Sequence, residues 1–208
     1  PLKVHNCTFS SNIDTFDMSP EMIEQGGIIY ISVKNSQQTG KIEIYDCNFS
    51  SVYKNAQESY GGSIYYASST SSSTSESSHT VLSISNCRFS DSEVKNNGGS
   101  IYILFSNDES QKQIDITDCT FKNTKSRDNK DAIYIQSNKK TNTIKITDCT
   151  FESCMILFNA LSTIIESCTF NEINKGNDFI SKNGNICSKE QILKEVKKDY
   201  LRKVDNGS

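Results

Sequence analysis

Eight cysteines carry the widest chemical range of any side chains in this chain of 208 residues. Thiols can form disulfides, ligate metal ions or act as nucleophiles. Zinc is not expected, because no Cys-x-x-Cys pair occurs and only His5 and His79 could add imidazole ligands. Six of the cysteines instead open a recurring phrase, Cys-x-Phe, which comprises Cys7, Cys47, Cys87, Cys119, Cys149 and Cys168 with Phe9, Phe49, Phe89, Phe121, Phe151 and Phe170.

The phrase recurs at intervals of 40, 40, 32, 30 and 19 residues. Self-similarity at periods of about 20–50 residues is typical of solenoids and related arrays. The unequal intervals indicate that insertions lengthen loops while a short core of each repeat is kept. The shortest interval is close to the minimum for one turn of three strands of about five residues each.

Three strands are predicted in each repeat. One follows a Gly-Gly turn, as at Gly61-Gly62, because glycine permits tight corners. A second alternates apolar and polar residues, as in Ile114-Asp115-Ile116, and the third is the Cys-x-Phe strand. Residues that tolerate left-handed backbone geometry separate the last two strands: Asn6, Asp46, Asn86, Asp118, Asp148 and Ser167.

The predicted fold class is therefore all-β, a β-solenoid of about five to six coils over residues 1–187. The residues Ser188 to Gln191 resemble a helix capping box, and apolar residues follow them at helical spacing. Residues 188–208 are predicted to form an amphipathic capping helix and tail, since a bare solenoid end exposes unpaired backbone and core side chains.

The six phrase cysteines are expected to form a column of buried, free thiols. Neighbouring strands lie about 4.8 Å apart, but in-register side chains point the same way and give poor disulfide torsions. Cys154 and Cys187 fall outside this register and are the better candidates for a bridge. Period-2 alternation places the Cys and Phe columns inside with the isoleucines.

One outward aromatic column is predicted on the Gly-Gly strand: Tyr30, Tyr65, Tyr102 and Tyr134, with Phe158 as a possible continuation. Stacked rings could make a ribbon on which sugars or a partner strand lie. The simpler alternative is that aromatic residues favour strands and pack on one another.

The sequence also offers candidate sites for glycosylation, for calcium and for acid–base chemistry. Asn48, Asn6 and Asn206 each begin an N-glycosylation sequon, and Asn48 should point outward. The corner carboxylates are expected to be structural, with calcium between coils as an alternative, and no other metal or cofactor is predicted. The outward carboxylates Glu43, Asp115 and Glu166 are scattered, so no catalytic residues are assigned.

The Gly-Gly phrases and the segment Phe9-Ser10-Ser11-Asn12 resemble the right-handed parallel β-helix, or pectin-lyase-like, superfamily. Within it the repeats are similar to those of polymorphic outer membrane proteins, which carry Gly-Gly-Ala-Ile and Phe-x-x-Asn phrases. The resemblance covers roughly residues 1–181. Later phenylalanines depart from the second phrase, having Val52, Ser92, Thr124, Cys154 and Ile173 in place of the asparagine.

The composition of the chain argues against two classes of function. A net charge of −3 without a basic face argues against nucleic acid, and no apolar run approaches a membrane-spanning length. Pro1 begins within a repeat, which suggests a piece of a longer chain.

We expect a non-enzymatic, extracellular or cell-surface rod segment of an adhesion or structural glycoprotein. It would act as a spacer, or bind glycans or proteins at many points along its length. The alternatives are a carbohydrate-active enzyme of the lyase or hydrolase type, and a filament component that self-assembles through its coil ends.

Overall fold

The computed structural model describes residues 1–10, 23–25, 27–34, 40–52, 58–69, 80–106, 112–127, 131–137, 143–160 and 163–171. These residues form strands and no helix. The capping helix predicted over 188–208, together with Cys187 and Asn206, lies outside the described residues. The strands, in chain order, are β1 (Leu2–His5), β2 (Thr8–Ser10), β3 (Ile23–Gln25), β4 (Ile29–Lys34), β5 (Gly40–Tyr45), β6 (Asn48–Ser50), β7 (Glu58–Tyr60), β8 (Ile64–Ser69), β9 (Thr80–Ser85), β10 (Arg88–Ser90), β11 (Glu93–Val94), β12 (Ile101–Ser106), β13 (Lys112–Thr117), β14 (Thr120–Lys122), β15 (Lys125–Ser126), β16 (Asp131–Ser137), β17 (Thr143–Thr147), β18 (Thr150–Glu152), β19 (Met155–Ala160), β20 (Thr163–Glu166) and β21 (Thr169–Asn171).

Three long sheets are built by taking one strand from each successive repeat, and every pairing in them is parallel. The alternating sheet has the order β1-β5-β9-β13-β17-β20, and the Cys-x-Phe sheet has the order β2-β6-β10-β14-β18-β21. The tyrosine sheet has the order β19-β16-β12-β8-β4. The predicted three strands per repeat and their parallel pairing are confirmed.

The register aligns like residues. Phe89 pairs with Phe49 on one side and Phe121 on the other, and Ile114 pairs with Ile144. Because successive residues of a strand face opposite sides of the sheet, this register gathers the apolar residues into one core. Its fully buried members include Ile84, Ile116, Ile101 and Ile133.

The predicted corners between the alternating and Cys-x-Phe strands adopt left-handed geometry. The six residues have φ between 49° and 56°: Asn6, Asp46, Asn86, Asp118, Asp148 and Ser167. The Asp118 backbone N–H donates to the Thr147 carbonyl of the next repeat at 3.2 Å, and Asp46 bonds Ser85 in the same way. The first five of these corners therefore turn the chain and also join two repeats.

A second corner was not predicted. It follows the Cys-x-Phe strand, where Ser51, Asp91, Asn123 and Ser153 have φ between 52° and 56°. The Asn123 N–H donates to the Glu152 carbonyl at 3.0 Å. Two small sheets, β3-β7 and β11-β15, were also missed. Besides the three long strands, four of the described repeats thus have a second corner, and some have an additional short strand, which the sequence pattern does not indicate.

Glycine has a steric role at the turn before the tyrosine sheet. Gly98 has a φ of 69°, which side chains rarely allow. At Gly99 an added Cβ would lie 2.3 Å from the Lys125 backbone nitrogen. The Gly-Gly pair is therefore required both for the turn and for the close approach of two repeats.

Candidate functional site

The six cysteines of the Cys-x-Phe phrase form the thiol column, a set of side chains capable of redox and metal chemistry. Cys7 is half-buried and the other five phrase cysteines are 0 to 3% exposed, and all six are free. Neighbouring strands hold them in register, since Thr8 pairs with Asn48 and Thr120 with Thr150. These are the residues that the sequence predicted to be buried together.

Each thiol donates weakly to backbone carbonyls. Cys119 Sγ lies 3.2 Å from the Thr117 carbonyl oxygen of its own repeat and 3.7 Å from the Ile84 oxygen of the preceding repeat. Contacts with the Cys149 and Cys87 thiols, together with burial, raise the pKa of Cys119 well above its usual value. A buried, protonated thiol of this kind is a poor nucleophile.

Cys154 lies outside the column, on the segment after the second corner. It is 2% exposed and free, and its thiol is 3.3 Å from the Phe121 carbonyl oxygen. Burial raises the pKa of Cys154 to about 12. Cys154 is therefore not bridged, contrary to the prediction that it was a disulfide candidate, and the other candidate, Cys187, lies outside the described residues.

The tyrosine column forms the predicted continuous stack. Ring centroids are 5.3 Å apart for Tyr30 and Tyr65, and 5.1 Å apart for both Tyr65 with Tyr102 and Tyr102 with Tyr134. The stack does not continue through Phe158, because Tyr134 pairs with Leu157. The rings belong to the face opposite the apolar core, whose cluster contains Ile64, Ile101 and Ile133 but none of the four tyrosines.

The prediction that this column is an open outward surface is wrong for its centre. Tyr30 is 54% exposed, but Tyr65 is 4% and Tyr102 is 7% exposed. The Tyr60 ring covers Tyr102, with centroids 5.1 Å apart and planes tilted by 59°. Burial raises the pKa of Tyr65 to about 12 and that of Tyr102 further. The two central tyrosines are therefore packed beneath neighbouring side chains, whereas Tyr30 at the end of the stack is open.

The outer face of the Cys-x-Phe sheet is an open, repetitive surface. Its first outward position is exposed or half-exposed in every repeat and is filled by Thr8, Asn48, Arg88, Thr120, Thr150 and Thr169. The left-handed corners flank this face on both sides, and the first set of corner residues is exposed. Asn48 is exposed here, as its sequon requires, and Asn6 is exposed at its corner.

Two of the exposed corner residues bond directly through their side chains, with Asn86 Nδ2 donating to Asp46 Oδ1 at 2.6 Å. Among the described residues no group of three or more His, Cys, Asp or Glu side chains is placed to hold a metal ion. Calcium between the Asp118 and Asp148 corners therefore stays a prediction.

The outward carboxylates considered for catalysis form ion pairs or hydrogen bonds with neighbouring side chains. Glu43 lies 3.1 Å from Lys3 and 2.6 Å from Lys41, and these lysines lower its pKa. Asp115 accepts a hydrogen bond from Gln113 at 2.7 Å. These groups form separate local pairs along the alternating sheet, so the structure does not bring them together into one site.

Asp131 is a buried carboxylate that sequence reasoning missed. It occupies a place where three preceding repeats have glycine, and it is fully buried. Its carboxylate accepts the Gly98 backbone N–H at 2.6 Å and the hydroxyl of Ser126. The charge is thus used to bond the positive-φ turn of the preceding repeat. The only available signal was the acidic residue in place of glycine.

No family model matches the chain, and neither the curated proteins nor the solved structures contain a match. A search of the described residues for helices found none with the length and apolar character needed to cross a membrane.

Proposed function

We propose that the three long sheets close into one right-handed parallel β-helix of the pectin-lyase-like type, with repeats similar to those of polymorphic outer membrane proteins. Two features support closure. Consecutive long strands of the chain enter different sheets, and each long sheet collects its strands, six, six and five of them, from successive repeats. The right hand follows from the strong preference of parallel crossover connections for that hand.

We further propose that the chain is a non-enzymatic rod segment at a cell surface or outside the cell. The observation that carries this proposal is the unbroken register of like residues through six repeats of the alternating and Cys-x-Phe sheets. In such an array each repeat packs only on its neighbours, and stability is approximately a sum over repeats and interfaces. The resulting body is stiff along the stack.

Ion pairs between charged side chains also link the repeats along the direction of the stack. Ion pairs join adjacent repeats between Lys122 and Glu152 at 2.9 Å, and between Arg127 and Glu93 at 2.6 Å. Exposed pairs of this kind contribute roughly 0–1 kcal/mol each. They support the role of a spacer because they act along the stack, although the core columns supply most of the stability.

The outer face of the Cys-x-Phe sheet is the proposed contact surface for glycans or proteins. It repeats one outward position at the strand spacing of about 4.8 Å, so weak contacts can add along its length. This surface replaces the tyrosine column as the display site, since the central tyrosines are covered. The same face carries Asn48, the preferred position for an N-linked glycan.

The test is incubation of the purified protein, with calcium present, against a panel of polysaccharides and glycans, scored for both retention and cleavage. Retention without cleavage is expected. Thr120→Lys with Thr150→Lys should reduce retention, whereas the matched changes Ser83→Lys with Ser85→Lys on the alternating sheet should not. All four positions are half-exposed, so the pairs have similar structural cost.

Cleavage of any polysaccharide would overturn the non-enzymatic assignment and support the carbohydrate-active alternative. Equal loss of retention in both lysine pairs would show that the contact surface lies elsewhere. No retention together with concentration-dependent light scattering would support the filament alternative. No retention and no scattering would restrict the function to that of a spacer.

A further inference from the structure

One position in the described backbone combines a chemically reactive residue pair with a hydrogen bond to a buried carboxylate. Asn97 is followed by Gly98 at the turn that leads into β12, where Gly98 has a φ of 69°. Asparagine is a thermolabile residue, and it deamidates most readily before glycine, because glycine has no side chain to shield its backbone nitrogen. The fate of this pair therefore depends on what surrounds the Gly98 nitrogen.

Deamidation requires a backbone N–H that is available to react. The Gly98 nitrogen would lose its proton to a base in solution and attack the side-chain carbonyl carbon of Asn97. A carbon–nitrogen bond forms, the bond to the side-chain nitrogen breaks, and ammonia leaves. Water then opens the cyclic imide to aspartate or isoaspartate, so no oxidant or reductant is needed. A hydrogen bond that holds the Gly98 N–H should slow the first step, as it slows amide hydrogen exchange.

This N–H is held by the carboxylate of the next repeat. Gly98 N donates to Asp131 Oδ2 at 2.6 Å, and the Ser126 hydroxyl donates to the other carboxylate oxygen. Asp131 is fully buried, and charge-assisted hydrogen bonds are roughly twice as strong as neutral ones. On the other side, the Asn97 carbonyl accepts the Gly61 N–H at 3.1 Å. The reactive pair is therefore fixed to both neighbouring repeats.

The preceding repeat offers a direct comparison. Its equivalent glycine, Gly61, has a φ of 61°, and its N–H donates to a backbone carbonyl. At Gly98 the acceptor is instead a side chain, supplied by the residue that replaces the second glycine of the turn. Of the two described glycines with positive φ, only Gly98 follows asparagine, since Gly61 follows Tyr60. The carboxylate thus lies at the turn that carries the reactive pair.

We propose that Asp131 protects Asn97 from deamidation, and that the Asn97–Gly98 pair becomes a modification site when this protection is lost. Isoaspartate would add a methylene group to the backbone and a negative charge to the turn. The turn has no room for such an addition, because even a Cβ on Gly98 would collide with the Ile101 carbonyl oxygen. The carboxylate thereby preserves the contacts among three successive repeats.

The chain contains its own reference sites for a test. Asn183-Gly184 and Asn206-Gly207 are the same reactive pair and lie outside the described residues. The purified protein is incubated in mildly alkaline buffer, and peptide mass spectrometry follows deamidation at each asparagine with time. Asp131→Gly should raise the rate at Asn97 about tenfold or more, the factor expected for loss of a hydrogen bond to a charged group. The rates at the two reference sites should not change.

Asp131→Asn is the milder variant and carries the test if Asp131→Gly does not fold, as judged by circular dichroism. It keeps an acceptor oxygen without the charge, so its Asn97 rate should lie between those of wild type and Asp131→Gly. Phe170→Leu controls for reduced stability, because it removes core packing three strand steps from β10, and its Asn97 rate should stay close to that of wild type.

An unchanged rate at Asn97 in the Asp131 variants would overturn the proposal. An equal rise in Phe170→Leu would also overturn it, because general opening of the fold, and not loss of one hydrogen bond, would then control the reaction. The result is independent of whether the protein binds or cleaves glycans.

Discussion

Two aromatic columns run through this molecule, and they differ in how they become buried. The phenylalanine column has ring centroids 4.8 to 5.0 Å apart and lies in the core between the sheets. The tyrosine column has nearly the same spacing but lies on the opposite face of its sheet. Its rings still range from 54% exposed at Tyr30 to 4% at Tyr65.

The stacking of these rings and their burial have different causes. Strand register alone stacks like residues, so it accounts for both columns. Burial of the phenylalanines follows from alternation, because that face of every strand is inside. Burial of the tyrosines depends on what packs over the sheet, such as Tyr60 on Tyr102. A repeat pattern therefore predicts stacking more securely than it predicts exposure.

The largest expected effect comes from the interior of the phenylalanine column. Phe121 is fully buried and stacks on Phe89 and Phe151. Phe121→Ala should lower the free energy of unfolding by about 3–5 kcal/mol, measured by urea denaturation. The matched control Thr120→Ala, on the same strand but facing outward, should change it by less than about 0.5 kcal/mol. Similar losses in both would contradict the assigned strand faces.

The tyrosine column should show an effect that depends on position. Tyr102→Ala should cost about 2–3 kcal/mol, since a covered side chain of this size is removed. Tyr30→Ala, at the exposed end of the same stack, should cost less than about 0.5 kcal/mol. Denaturation curves of the two variants decide the matter. If Tyr102→Ala lowered the free energy of unfolding as little as Tyr30→Ala, the central rings would be open. The hypothesis that a ligand binds along the tyrosine column would then regain support.

The corners should show a smaller effect that depends on backbone geometry. Asp118 has a φ of 53° and an exposed side chain. Asp118→Ala should lower the free energy of unfolding by about 1 kcal/mol, because alanine resists left-handed geometry. Asp118→Gly should cost less, since glycine accepts it readily. The opposite order in thermal denaturation would show that the carboxylate, and not the backbone, is what the corner needs.

A further effect is expected on the pH dependence of stability. Burial raises the pKa of Tyr65 to about 12, whereas an unfolded tyrosine titrates near about 10. The folded protein then keeps a proton that the unfolded chain loses, so stability should fall as pH rises from about 10 to 12. Urea denaturation of Tyr65→Phe across this range should show a shallower fall than wild type. An identical fall would mean that Tyr65 is not shielded.

Much of the fold was predictable because its signals are local and repeated. The alternation around Ile114 and Ile116 predicted one sheet, and the Cys-x-Phe phrase predicted another. The polar residue before each phrase, as at Asp118, correctly predicted a left-handed corner. These features depend on residues close in sequence, so the strand pattern alone contains them.

The remaining features depend on contacts that the pattern does not encode. Strands such as Glu93–Val94 have two residues, which is too few for a detectable period. The second corner, as at Asn123, lies two positions after the phenylalanine of the phrase. Its sequence signal is only a short polar residue at that position, which is too weak to mark a corner. The cover over Tyr102 and the buried Asp131 bond to Gly98 both join segments distant in sequence.

The central claim is that the repeats stack in register at one spacing, since the rod function and the thiol column both require it. Spin labels at the outward positions Arg88 and Thr169, and separately at Thr8 and Thr169, test this by pulsed electron resonance. Three and five strand steps separate these pairs in the sheet. At about 4.8 Å per step, the account predicts two narrow distributions whose centres differ by about 10 Å. Broad distributions, or centres that do not increase with the number of steps, would contradict it.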